Sequence, residues 1–183
     1  MKEPIKPQAA TPAAPATSAG TAATTAGKPG EPRTITWDAL VPPNWDPFKD
    51  FKGLNLQMMD DGDPRTMQFL KRMREVWDNA PPNPKIVGQD VRIPGFVVPL
   101  EDSKEGMKEF LLVPYFGACI HSPPPPANQI IHVLPKSPAK GLRSMDTVWI
   151  SGRISTVRTD SFMGAASYRL EAVDVSPYQD KGK

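Results

Sequence analysis

Apolar residues follow no repeat up to residue 33, a helical repeat between residues 64 and 79, and a two-residue repeat or short apolar runs from Gln89 onward. In the middle stretch Met67, Leu70, Met73, Val76 and Trp77 recur at three and four, which predicts one helix over about residues 64–79. Asp63 supplies an N-cap, Pro64 a first helical position that needs no N–H, and Pro81, Pro82 and Pro84 forbid continuation. Met67, Met73 and Trp77 are read as core on this pattern, not as a cofactor box.

Five later segments carry strand patterning: 91–100, 108–115, 129–134, 147–158 and 165–175, the first with a kink or bulge expected at Pro94–Gly95. Between tail and helix, residues 35–48 alternate aromatics, from Trp37 on, and prolines, which suits an extended segment anchored over a core by its rings. The fold expected is therefore mainly β: a small five-stranded OB-like barrel with one N-terminal helix across one end, a two-sheet sandwich being the alternative.

Composition adds a boundary. Of the first 33 residues 24 are Ala, Pro, Thr, Gly or Ser, there is no aromatic, and Ile5 is the one large aliphatic. Such a stretch has too little apolar surface to offset the entropy of ordering, so residues 1–33 are expected to be a disordered tether. Residues 34–178 then form a single domain, and 179–183 a C-terminal tail. The tether carries the whole net charge of +2 within the 183-residue chain, leaving 18 basic and 18 acidic residues beyond it. A neutral domain without a basic, aromatic-interleaved cluster argues against nucleic acid. No stretch is apolar for the length of a membrane span, and the chain shows no signal-peptide h-region. One cysteine excludes an internal disulfide framework and any all-thiolate metal site built by this chain alone.

The chemistry concentrates in residues 114–133, PYFGACIHSPPPPANQIIHV. Cys119 and His121 are two apart, so on an extended backbone their side chains share a face. His132 follows after Pro123, Pro124, Pro125 and Pro126. A stiff proline excursion turning back at Ala127–Asn128 would return the next strand beside Cys119. One thiolate and two imidazoles make a sensible open zinc site with water in the fourth position, and the same mixture suits copper. Three alternatives stay open. Cys119 is equally suited to be a small buried hydrophobe and His132 a solvent-face strand residue. The prolines could be a rigid loop or a docking surface. Cys119 could be a nucleophile with His121 or His132 as base and Asn128 or Asp146 orienting it, but nothing places the thiol at a helix N-terminus, and the chain is not expected to be an enzyme.

The runs Gly95–Leu100, Glu109–His121, Pro123–Gln129 and Val148–Gly152, with the Trp37–Trp45 segment, resemble a bacterial family, the domain of unknown function numbered 3299, over roughly residues 35–178. The resemblance marks Gly117, Cys119, His121, Pro123, Pro124, Pro125, Pro126, Asn128 and Gln129 as its motif, with His132 just beyond. Ser122 departs from the family's usual apolar residue. Members are mostly exported proteins or lipoproteins of Gram-negative bacteria, often encoded beside an ABC-type permease and other periplasmic proteins associated with zinc uptake. The resemblance thus implies a periplasmic metal-binding accessory protein, with zinc as the metal, serving a transporter and membrane-tethered in its precursor. A metal-free interaction module using the Pro-rich loop and barrel face is the alternative.

Overall fold

A computed structural model describes residues 31–47, 49, 64–101, 105–116, 125–162 and 164–178. Six strands make one sheet: β1 (Arg33–Thr34), β2 (Asp90–Pro99), β3 (Phe110–Val113), β4 (Ile131–Pro135), β5 (Thr147–Ser161) and β6 (Gly164–Pro177). Their order is β1-β2-β3-β4-β6-β5, and β2 also pairs with β5, so five strands close into a ring with β1 outside it. Among the described residues the mainly β fold with one α-helix is as the sequence predicts; the two-residue β1 is an addition.

The ring closes because β2 is shared. Its Asp90–Phe96 stretch pairs antiparallel with β5, and Phe96–Pro99 pairs with β3. Alternate residues Val91, Ile93 and Val97 face inward, where they meet Phe110, Leu112, Ile131, Val133, Val148, Ile150, Ile154, Tyr168 and Leu170 in one buried cluster. No bulge interrupts the strand at Pro94–Gly95: the β2–β5 register runs straight through Pro94↔Trp149 and Gly95↔Val148. Ile154 N donating to Gln89 O sets the alternation that leaves Pro94 at a non-hydrogen-bonded position, so its missing N–H breaks no rung. Gly95 is required by crowding, since a Cβ there would lie 2.7 Å from Leu112 Cγ and 2.9 Å from the Trp37 ring. The bulges lie elsewhere, between β5 and β6 at Ser151/Gly152 and Thr156/Thr159.

Strand directions give the ring two ends. At one, β3 and β5 finish and β4 and β6 begin; the 3₁₀ turns Trp37–Leu40, Pro84–Ile86 and Ala127–Gln129 gather there. The expected extended segment from Trp37 therefore starts as a 3₁₀ turn, with Leu40 fully buried over the core. Tyr168 ties this cap down from inside the ring. Its hydroxyl donates to Leu40 O at 2.7 Å and accepts from Asn83 N, while Asn83 Nδ2 donates to Ala39 O at 2.8 Å. Burial pushes the Tyr168 phenol up to about 12, against the opposing pull of the Asn83 N–H.

The helix α1 spans Pro64–Asp78, close to expectation, but its phase differs. Thr66 is buried and Phe69, Met73, Val76 and Trp77 are partly buried, whereas Met67 is 64% exposed and Leu70 is exposed too. Met67 is thus not core. The helix carries apolar side chains at both 67/70 and 69/73/76, and packing selected the stripe through Phe69. Among the described residues no helix is long and apolar enough to cross a membrane.

Candidate functional site

The motif region departs from and returns to the capped end. β3 ends at Val113, and Tyr115 and Phe116 emerge exposed beyond it. Gly117, Cys119, His121, Pro123 and Pro124 lie outside the described residues. The described chain resumes with Pro125, which is buried, and Pro126, whose φ of −55° and ψ of 150° are those of polyproline. It then turns through Ala127–Gln129 into β4. Asn128 Nδ2 donates to Pro81 O at 3.1 Å and Gln129 Nε2 to Trp37 O at 3.0 Å. These two motif amides stitch the turn to the cap; Asn128 Oδ1, though buried, has no hydrogen-bond partner among the described residues.

His132 is the one proposed ligand inside the described region. It lies between Ile131 and Val133, whose side chains fill the ring, so its own faces outward, and it is only 4% exposed. The outer face there is apolar, with Val98, Leu111, Val113, Ile130 and Ala166 buried together. In the β3–β4 register His132 is opposite Leu111, which makes Glu109 its diagonal neighbour. His132 Nε2 is 2.7 Å from Glu109 Oε2, and Nδ1 is 3.4 Å from Thr159 Oγ1. A carboxylate oxygen accepts, so Nε2 is the nitrogen that carries hydrogen. In the neutral imidazole Nδ1 then keeps its lone pair, facing the Thr159 hydroxyl across a long contact.

Sequence reasoning missed Glu109 and Thr159. Glu109 stands just before a strand and Thr159 near the end of another, and only the strand pairing brings them to His132. Asp146, offered as an imidazole-orienting residue, accepts from Arg143 N at 2.7 Å and precedes β5 at the end of the ring opposite Phe116 and Pro125. It cannot serve His132, and Asn128 is engaged at Pro81. Among the described residues no three His, Cys, Asp or Glu side chains converge on a metal position.

A second polar assembly sits on the outer face of β2 and β5. The Arg92 guanidinium lies 4.5 Å above the Trp149 ring, and Tyr178 stacks with Trp149 at 5.5 Å and 27°. The indole is thus packed by both side chains, a structural contact and not an open site.

The family described as Protein of unknown function (DUF3299) matches residues 37–177. A solved DUF3299 family protein from Pseudomonas aeruginosa PAO1 is 34% identical, with a TM-score of 0.64 over 84% of this chain and 100% of that one. A small single-stranded DNA-binding protein from Streptomyces coelicolor is 15% identical over 52% of this chain and 98% of that one; its TM-score of 0.33 carries no argument. No curated protein matches the chain.

Proposed function

The chain belongs to the DUF3299 family, and from that premise we propose that it is a periplasmic metal-binding accessory protein. It holds zinc, or copper as the alternative, through Cys119, His121 and His132 and passes the ion to an ABC-type permease or another periplasmic transport protein. The observation that carries the reading is the His132–Glu109 pair. A histidine that ligates zinc donates its other ring N–H to a carboxylate, which fixes the tautomer and raises the basicity of the ligating nitrogen. Glu109, 2.7 Å from Nε2, provides that support and leaves Nδ1 for a metal. The weak Thr159 contact is one that a metal would displace at small cost.

The chemistry of the set fits transfer better than storage. One thiolate and two neutral imidazoles leave a coordination position for water or for a receiving protein's side chain. The test is zinc titration of the full chain beside Cys119→Ser and His132→Leu. One equivalent bound by the parent, with sharp weakening in both variants and loss of affinity below about pH 6, is expected, because protons compete for thiolate and imidazole. Equal zinc binding by parent and variants sinks the three-ligand reading.

The metal-free interaction module has one observation in its favour. Tyr115, Phe116 and Phe162 are all exposed, and the strands that precede them end at the same capped end of the ring. Exposed aromatics at one end of a domain are what a docking surface uses. A protein that binds no zinc, yet loses a partner on Phe116→Ser, establishes this second reading.

A further inference from the structure

The uncapped end of the ring carries a feature the metal reading does not use. β4 stops at Pro135, paired with Ala172, and Lys136 N donating to Ala172 O is the last rung between that chain and β6. β6 runs on to Pro177, bonded on one side only, to β5. Tyr178 N donates to Thr147 O at 2.9 Å, which fixes the alternation of that ladder. Ser176 and Asp174 then bond to β5, while the N–H and C=O of Val175 and the C=O of Pro177 point away from it.

What they point into is a groove. A cavity of about 300 Å³ lies between residues Pro135–Lys140 and Ala172–Val175. It shares Ala139, Lys140 and Val175 with a second, of about 460 Å³, that reaches Val148, Pro177 and Tyr178. One wall is thus the open edge of a strand and the other the segment 136–142, itself anchored by the Met107–Ala139 bridge. Val173, on the rim, is 72% exposed.

We propose that this groove docks an extended acidic segment of a partner protein, which adds as a single strand beside β6. The backbone groups of Val175 supply strand pairing, the mode of β-augmentation. Charge selects the occupant. Lys136 and Lys140 stand exposed on the outer wall, and neither is in an ion pair among the described residues. The cavity beside Val175 is lined by these two lysines and by one carboxylate, Asp174, which accepts from Ser176 Oγ, so its charge is positive by one; Asp146, which accepts from Arg143 N, lines the second cavity. The outer wall also selects against a second copy of this chain, whose ring would meet the 136–142 segment on approaching β6.

The experiment uses the full chain and two short fluorescein-labelled peptides, one of alternating valine and glutamate, the other of alternating valine and lysine. Expected is saturable binding of the glutamate peptide, at least about tenfold weaker in the Lys136→Glu, Lys140→Glu double variant and for the lysine peptide. Amide hydrogen exchange supplies a readout independent of charge. Bound peptide should slow the Val175 amide while leaving Ser176, already bonded to β5, unchanged. The proposal is overturned by equal binding of both peptides, by binding without protection of Val175, or by a concentration-dependent dimer that the peptide disperses. Because both variant sites are exposed lysines past the end of β4 opposite to His132, zinc binding should be the same in parent and variant, so this proposal and the metal reading fail separately.

Discussion

Tyr168 and His132 are buried polar side chains on neighbouring strands, one residue apart in the β4–β6 register, since Tyr168 aligns with Ile131 and Arg169 with His132. They face opposite ways. Tyr168 points into the ring, and its hydroxyl is held by two backbone groups, Leu40 O and Asn83 N, which belong to the cap. His132 points out and is held by two side chains, of which Glu109 is 41% exposed. Backbone partners cannot turn away without moving the chain, whereas a half-exposed carboxylate and a hydroxyl can exchange for water or a metal. A buried polar group with backbone partners closes a fold; one with side-chain partners remains available for chemistry.

The largest effect expected from this contrast is on the inner group. Tyr168→Phe leaves the Asn83 N–H and the Leu40 carbonyl without their partner in a buried cap, at a cost of about 2–4 kcal/mol. For a domain of this size that lowers the thermal midpoint by roughly 10 °C. A shift of only a degree or two would show that the cap is not held by Tyr168 and would remove the contrast.

Alkaline pH sharpens the same point with no substitution in the parent. The folded phenol is pushed up to about 12 from an ordinary value of 10.0. A group whose folded value is raised contributes stability that is fully present below its unfolded value and is lost as pH rises through the folded one. The Tyr168 contribution should therefore be intact up to pH about 10 and vanish between about 10 and 12. Measured as the difference in midpoint between parent and Tyr168→Phe across that window, which cancels the other titrating groups, the gap should narrow steadily. A constant gap would mean that Tyr168 ionises as freely in the fold as outside it.

How far this distinction was legible in the sequence depends on what fixes each element. The strands were legible because period-two patterning and short apolar runs are local, and the helix because 3.6-residue spacing and flanking prolines are local. The phase of α1 was not: Met67, Leu70 and Phe69 offer two competing stripes, and only the surface beneath decides. Pro94–Gly95 read as a bend, yet the proline falls at a rung-free position and the glycine answers to Leu112 and Trp37, contacts made across 17 and 58 residues. Of the candidate site, His132 was found by residue type, but its partners Glu109 and Thr159 were not, because their proximity exists only after β3, β4 and β5 are in register. Asn128 and Gln129, singled out as motif, gain a physical reason in the cap they stitch to Pro81 and Trp37. Cys119 and His121 lie outside the described residues.

Removing the outer group should matter much less to the fold. His132→Leu exchanges an imidazole for an apolar side chain on a face already lined by Leu111, Ile130 and Val113. Glu109 and Thr159, both partly open to solvent, can turn to water. Replacing a buried polar group by an apolar one of similar size, with its partners solvated, is near neutral, so the change in stability should stay within about 1 kcal/mol by denaturant titration. A loss as large as that of Tyr168→Phe would place His132 among the structural ties instead.

The smallest effect on the fold is expected from Glu109→Gln, and it discriminates most finely. The carboxylate is 41% exposed, and its contact with Nε2 is solvent-screened from one side, so stability should change by less than about 0.5 kcal/mol. The amide, however, no longer dictates the tautomer. Its oxygen still accepts from Nε2–H, but its NH₂ donates equally well to a bare Nε2, which lets the ring place its hydrogen on Nδ1 toward Thr159. If Nδ1 is the nitrogen that meets a metal, the substitution removes both the tautomer preference and the added basicity, and zinc affinity should fall by about 10-fold or more. The tautomer can be read directly from the ¹⁵N shifts of the His132 ring with the metal absent. An unchanged tautomer together with unchanged zinc affinity would reduce the Glu109–His132 pair to a surface contact, and with it the reason for distinguishing the outer group from the inner one.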